Sequence, residues 1–351
     1  MSKKYPRNLL GLLFASSTCL ALVFPAIVNL SGSKSLAQNV VSQNLDAAMF
    51  YQVGVNQYNR QNYQAADKAF RQALQLDPSI GEARNYLGNI LVGQNRLDLA
   101  LQEYGEAIRL NPNLTEGYYN LGLVLQKQGQ LEPAITAYRQ ALVVNPTFAK
   151  AHYNLGLALY QQGLRQEAIA AYQQAANFDS SNPDTFYNLA IALQQEGKVE
   201  EAIAAYRQVL SLAPENTLAQ TNLGSLFTLQ GRTVEAIALY RAAIRQNPRN
   251  VAAIYNLAVV LYNQGDLKAA SQAFERAGKE YRQLGNISEA DKAEQMAQQL
   301  VEYLKPKPKP TTASSTNSAP VVVETTTEQP PAPANPEPSQ PSANPETKPA
   351  N

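Results

Sequence analysis

The sequence predicts an all-α solenoid of seven stacked 34-residue helix-turn-helix units closed by one capping helix. Three observations carry this. The segment TEGYYNLGLVLQKQGQLEPAITAYRQALVVNPTF, from Thr115, is followed directly by AKAHYNLGLALYQQGLRQEAIAAYQQAANFDSSN, the same pattern 34 residues on. The register then holds in both directions from Ala47 to Leu284 without insertion. Within each unit, apolar and small residues fall at helical spacing. A fixed period over this length signals stacking of like units rather than a single globular core.

Counting places from Thr115, the first helix carries Tyr118, Leu121, Gly122 and Leu125, spaced as one helical face. Gly129 ends it, because a left-handed backbone costs glycine little. A second helix carries Leu131, Ala134, Tyr138 and Ala141, and Pro146 stops it. Helices of about 14 residues, about 21 Å long, are marginal alone in water, so stacking must supply the burial. Small residues at the eighth and twentieth places, Gly122 and Ala134, are expected where the two helices cross. The aromatic at the twenty-fourth place, Tyr138, is expected to fill the space between units.

Departures from the pattern are local. Gln57 is expected to give the first unit a wetter outer face. In the second unit Arg84 takes a packing place and Asn95 the cap, where asparagine tolerates the left-handed region. Ser180 replaces a closing proline, but Pro183 opens the next helix, a favourable site. Gln220 and Thr233 weaken packing in the sixth unit. After Gly285-Asn286, a capping helix within 285–304 is expected to turn Ala290, Ala293, Ala297, Leu300 and Leu304 towards the array and Glu289, Lys292, Gln295 and Gln299 towards water.

The ends differ from the array. Residues 1–37 combine Lys3, Lys4 and Arg7, an uncharged run from Asn8 to Gly32, and the small-residue exit Ser35-Leu36-Ala37. That is the layout of a secretory signal peptide cleaved after Ala37. The alternative is an uncleaved anchor, since Leu9 to Leu30 is long enough to span a bilayer. Either reading places the array outside the cytosol, in the periplasm, a thylakoid lumen or the cell envelope. Cys19 lacks a lipoprotein context. Residues 38–46 read as a short linker. Residues 305–351 hold twelve prolines and few apolar residues, so a disordered tail is expected. Contact with lipid headgroups or cell wall is its functional reading, a solvated linker the plain one.

Composition narrows the chemistry. The formal net charge is +1 with no basic stripe, so a nucleic-acid footprint is absent. One cysteine and one histidine allow neither a Cys/His metal cluster nor a disulfide framework. His152 stands at a packing place, and the glycines are isolated rather than grouped in a phosphate loop. The expectation is no enzyme and no cofactor.

The repeat pattern resembles the tetratricopeptide repeat (TPR) family, whose unit is a 34-residue helix-turn-helix. The resemblance implies a right-handed superhelix with a concave groove lined by the first helix of each unit, and protein partners. The exported, glutamine-rich array also looks like envelope or thylakoid-lumen TPR proteins of cyanobacteria. On the first helix, the arc opposite the packing face carries an asparagine ladder: Asn120, Asn154, Asn188, Asn222 and Asn256. Beside it stand Tyr119, Tyr153, Tyr187 and Tyr255. These nine residues are the expected peptide-binding groove, since asparagine can both donate to and accept from a peptide backbone and tyrosine offers stiff amphipathic area. The lysines with which some TPR domains clamp a C-terminal carboxylate are missing. The leading expectation is an exported, non-enzymatic adaptor for extended segments. The alternatives are an accessory subunit of a separate, glycosyltransferase-like enzyme, or a structural envelope protein.

Overall fold

The computed structural model describes residues 42–305. The expected signal peptide or anchor and nearly all of the tail lie outside these residues. The described chain is built from fifteen α-helices. They pair as α1 (Leu45–Asn59) with α2 (Tyr63–Leu76), α3 (Gly81–Gly93) with α4 (Leu97–Leu110), and α5 (Thr115–Lys127) with α6 (Leu131–Val144). Next come α7 (Ala149–Gln161) with α8 (Arg165–Phe178), and α9 (Pro183–Gln195) with α10 (Val199–Leu212). Then follow α11 (Thr217–Leu229) with α12 (Thr233–Gln246), α13 (Val251–Asn263) with α14 (Leu267–Gln283), and finally α15 (Ile287–Leu304). The expected linker is shorter than 38–46, because Asn44 caps α1 by accepting from the Ala47 amide.

Each hairpin turn is made the same way. The residue at the fifteenth place sits in the left-handed region: Gly129 at φ 76°, Gly163 at 83° and Gly231 at 70°. Asn95 at 57° and Gln61 at 60° do so with a side chain, which asparagine tolerates better than glutamine. The amide that follows bonds back to the helix just ended, as in Gln130 N to Leu125 O at 2.9 Å. Between units, the residue before the closing proline turns the chain. Asn145 Oδ1 accepts from the Thr147 amide at 3.1 Å, and Asn111, Asp179 and Asn247 repeat the contact. Where Ser180 replaces the proline, Pro183 stands in the first turn of α9 behind the cap Asn182.

The crossing within each pair corrects one expectation. A Cβ added at Gly122 would lie 2.6 Å from the Tyr138 ring, and Gly156 stands in the same relation to Tyr172. The aromatic at the twenty-fourth place therefore fills the crossing of its own unit, lying on the bare backbone at the eighth place. Tyr104, Tyr138, Tyr172, Tyr206, Tyr240, Phe70 and Phe274 are all fully buried there.

The two ends of the stack are unlike. α15 buries Ala290, Ala293, Ala297 and Leu300, while Arg282 ties α14 to Asp291 and Glu294. Leu304, expected on the buried face, is largely exposed at the helix end. The outer face of the first unit is mixed, with Asp46, Gln52 and Asn56 exposed beside apolar residues. α1 exposes Leu45, Met49 and Val53 in a stripe, and Gln57 bonds Asn62.

Candidate protein-binding surface

First helices approach their counterparts in neighbouring units: α3 to α5, α5 to α7, α7 to α9 and α11 to α13. Second helices make no comparable approach. The first helices therefore lie on the tighter, concave side, and the fifth and sixth places meet across the unit boundary.

That meeting changes what the asparagine ladder does. Asn154 Nδ2 donates to Tyr119 Oη at 3.0 Å, Asn188 Nδ2 to Tyr153 Oη at 3.0 Å, and Asn222 Nδ2 to Tyr187 Oη at 3.4 Å and Tyr206 Oη at 3.2 Å. Asn120 Nδ2 donates to Asn85 and Asn89. Where Thr221 stands in place of a tyrosine, Asn256 Nδ2 turns to Ser225 Oγ at 3.2 Å. Asn120, Asn154 and Asn188 are only 9%, 6% and 3% exposed, and Tyr119, Tyr187 and Tyr255 are buried as well. Tyr153, Asn222 and Asn256 are half-buried. The expectation that these side chains stand free on the arc opposite the core is thus corrected. On a tightly curved inner side the next unit's first helix covers that arc, so the asparagine amides join units.

A second seam runs parallel to the first. Gln126 Nε2 donates to Gln161 Oε1 at 3.1 Å, and the Tyr160 hydroxyl pairs with Gln195. Both pairs link the twelfth place of one unit to the thirteenth of the next. Between the seams lies the apolar ninth place, where Leu157 and Ile191 are fully buried and Leu123 half-buried. Sequence reasoning missed this seam, although the Gln/Tyr residues at these places repeat. It also missed Asn85 and Asn89, buried polar residues where other units carry tyrosine and an aliphatic. A third seam joins turns, with Gln128 to Asp98 at 3.0 Å and Gln162 to Glu132 at 2.7 Å.

Each asparagine donates to an acceptor site on the tyrosine oxygen. Burial pushes the Tyr119 phenol up to about 12, with the Asn154 bond acting weakly against it. Burial likewise raises Tyr153 and Tyr187. The row is thus neutral at physiological pH and can only donate or accept hydrogen bonds. His152 is half-buried at a unit boundary, its Nε2 2.9 Å from the Pro146 carbonyl and its ring stacked on Phe178, outside the helix-pair interior expected for it. Among the described residues no group of three or more His, Cys, Asp or Glu is placed to hold a metal ion. No described helix is long and apolar enough to cross a membrane.

Family models described as TPR repeat match residues 88–129, 127–163 and 166–197. Others described as tetratricopeptide repeat match 47–80, 150–180, 187–250 and 227–293. The chain belongs to the tetratricopeptide repeat family. Among solved structures, this TPR chain is similar to pilF of Pseudomonas aeruginosa, at 20% identity and TM-score 0.52, over 59% of this chain and 95% of that one. It is also similar to YrrB, described as a TPR protein with an unusual peptide-binding site, at 22% identity and TM-score 0.50, over 54% and 97%. Both likenesses concern the fold. A search of curated proteins finds no match. Family and fold together support a protein–protein interaction scaffold, a type of array that is typically non-catalytic.

Proposed function

We propose that this TPR protein is an exported scaffold that holds extended protein segments along its concave face. The observation that carries the reading is the row of Tyr119, Tyr153 and Tyr187. These phenols recur once per unit on the inner side, each with its oxygen held by the next unit's asparagine, so the inner side repeats at a fixed step. An extended backbone also repeats at a fixed step along its length, and a surface held in place loses little entropy on meeting it. The peptide-binding site described for YrrB agrees with this use of the fold. Export is supported by the basic start, apolar run and small-residue exit of residues 1–37.

The test is binding of the full-length protein to an array of 14-residue peptides of random sequence. Lys127→Ala and Gln195→Ala, at the thirteenth place of α5 and α9, should weaken capture about tenfold. Gln173→Ala, on the exposed side of α8, should not. Equal loss from all three, or capture of no peptide, would sink the concave-face reading. Amino-terminal sequencing of the extracytoplasmic fraction tests export, with Gln38 as the expected first residue.

A further inference from the structure

Each first helix from α3 to α13 packs on the second helix of the unit before it, as α5 does on α4 and α9 on α8. Among the described residues α1 has no such predecessor. In later units the third and seventh places are buried, as Ala151 and Leu155, Thr185 and Leu189, or Ala219 and Leu223. In α1 the same places hold Met49 and Val53, 56% and 41% exposed, with Leu45 one turn earlier 85% exposed. The stripe Leu45, Met49, Val53 is thus a junction face with its cover missing.

The residues say which cover fits. From the second unit to the seventh the third place is Ala83, Gly117, Ala151, Thr185, Ala219 and Ala253, all small. A Cβ added at Gly117 would stand only 3.2 Å from Ile108 of α4, so the preceding helix comes close there. Met49 is too large for such a neighbour, which argues against one more repeat as the occupant. The chain's own preceding stretch fits no better. The repeat register sets residues 29–42 at that place, and they read NLSGSKSLAQNVVS, mostly poor helix formers. A lipid surface is disfavoured too. Helices that lie on membranes carry lysine and arginine on their polar face, and α1 has Asp46 and neither basic residue.

We infer that two copies of this protein meet through α1, antiparallel, about a two-fold axis at Met49. A two-fold contact is self-complementary, residue i meeting j while j meets i, and Met49 is the midpoint of the stripe. In this register Met49 faces the partner's Met49, and Leu45 faces the partner's Val53. Asp46 faces the partner's Gln52, an amide donor opposite a carboxylate. Apolar meets apolar and polar meets polar. The two Asp46 side chains stand about 9 Å apart along the helices, six residues at about 1.5 Å each. Methionine is unbranched and flexible, so two thioethers adapt to one another at the axis. One helix face is small beside the roughly 800 Å² per partner of a stable interface, so the dimer forms at about 100 μM rather than at nanomolar concentration.

The experiment is sedimentation of the full chain from about 5 to about 500 μM, with a melting curve for each variant. The native chain should pass from monomer to dimer. Met49→Glu, which sets two carboxylates at the axis, should weaken association at least tenfold with melting unchanged. Leu45→Glu and Val53→Lys should each weaken it alone. Mixed in equal amounts, those two chains should associate again, because Glu then faces Lys across the axis, a recovery that misfolded chains would not give. A native chain that stays monomeric, or a Met49→Glu chain that associates as well as the native one, overturns the inference. Failure of the mixed chains to recover overturns the antiparallel pairing. Capture of monomeric native chain, but not of Met49→Glu, by phosphatidylglycerol vesicles would give the face to lipid and overturn the dimer.

Discussion

At the scale of single residues, the phenols inside the hairpins make a controlled comparison. Tyr138 donates to Gln126 Oε1 at 2.8 Å, and Tyr206 to Gln194 Oε1 at 3.1 Å. Tyr172 occupies the same crossing, but its buried hydroxyl has no hydrogen-bond partner among the described residues. The reason lies twelve residues earlier. Gln126 and Gln194 are replaced in that unit by Tyr160, whose own hydroxyl is drawn to Gln195 in the next unit. Tyr206→Phe removes a bond and leaves the amides of Gln194 and Asn222 short of a partner, so it should cost about 1–3 kcal/mol. Tyr172→Phe should be neutral within about 0.5 kcal/mol or stabilising. Urea melts of the two variants decide it, and equal losses would show that Tyr172 is paired after all. Glycine at the eighth place allows a second test. Ala190 and Ala258 already stand there in two units, fully buried. Gly156→Ala should therefore be mild, whereas Gly156→Leu must push the Tyr172 ring from its seat, typically at a cost of about 1–3 kcal/mol.

At the scale of helices, the first helix has a packing face on each side of the inner arc. Changing Asn154, Asn188 and Asn222 together to alanine should therefore lower stability, by about 1.5–4.5 kcal/mol at about 0.5–1.5 kcal/mol per lost bond. Because stability is shared between neighbours, amide exchange should speed up across α5 to α11 together. A triple variant with native melting and exchange would show that the asparagines are surface residues. The sequence made the helices legible, since Gly129, Pro146 and the spacing of Leu121, Gly122 and Leu125 are local signals. It did not reveal the seams. A helical wheel for one unit shows which side packs on its own partner, but the second contact depends on how sharply the stack curves. Curvature is set by relations between units 34 residues apart, such as Tyr119 with Asn154, and no single wheel contains both.

At the scale of the whole molecule, most ion pairs among the described residues are exposed and contribute little each, while many tyrosines are sealed. Burial raises the phenols of Tyr104, Tyr138 and Tyr172 well above their ordinary value of 10.0. A group whose folded pKa is raised is protonated in the folded chain while the unfolded chain has lost its proton, so stability falls as pH climbs through that interval. The helical signal and melting temperature should hold across neutral pH and drop cooperatively above about pH 10. Circular dichroism against pH measures this, and a chain still fully helical at pH 12 would contradict the burial of the phenols. The outline of the stack was legible from the period alone. The apolar outer stripe of Leu45, Met49 and Val53 was not, because reading Gln57 as a wet terminus attended to one place in isolation.

The seam between Tyr119 and Asn154 has one more implication. The fourth and fifth units each carry a tyrosine acceptor for their successor and an asparagine donor for their predecessor. A gene encoding such a chain can lengthen by copying a unit and meet no orphaned group at either new junction. Inserting a second copy of residues 149–182 after Asn182 would set the copied Asn154 against the original Tyr153, and Asn188 against the copied Tyr153. The enlarged protein should fold and melt no lower than its parent, measured side by side by calorimetry. Length in this molecule is thus a quantity that inheritance can adjust in whole steps, leaving every existing junction as it was.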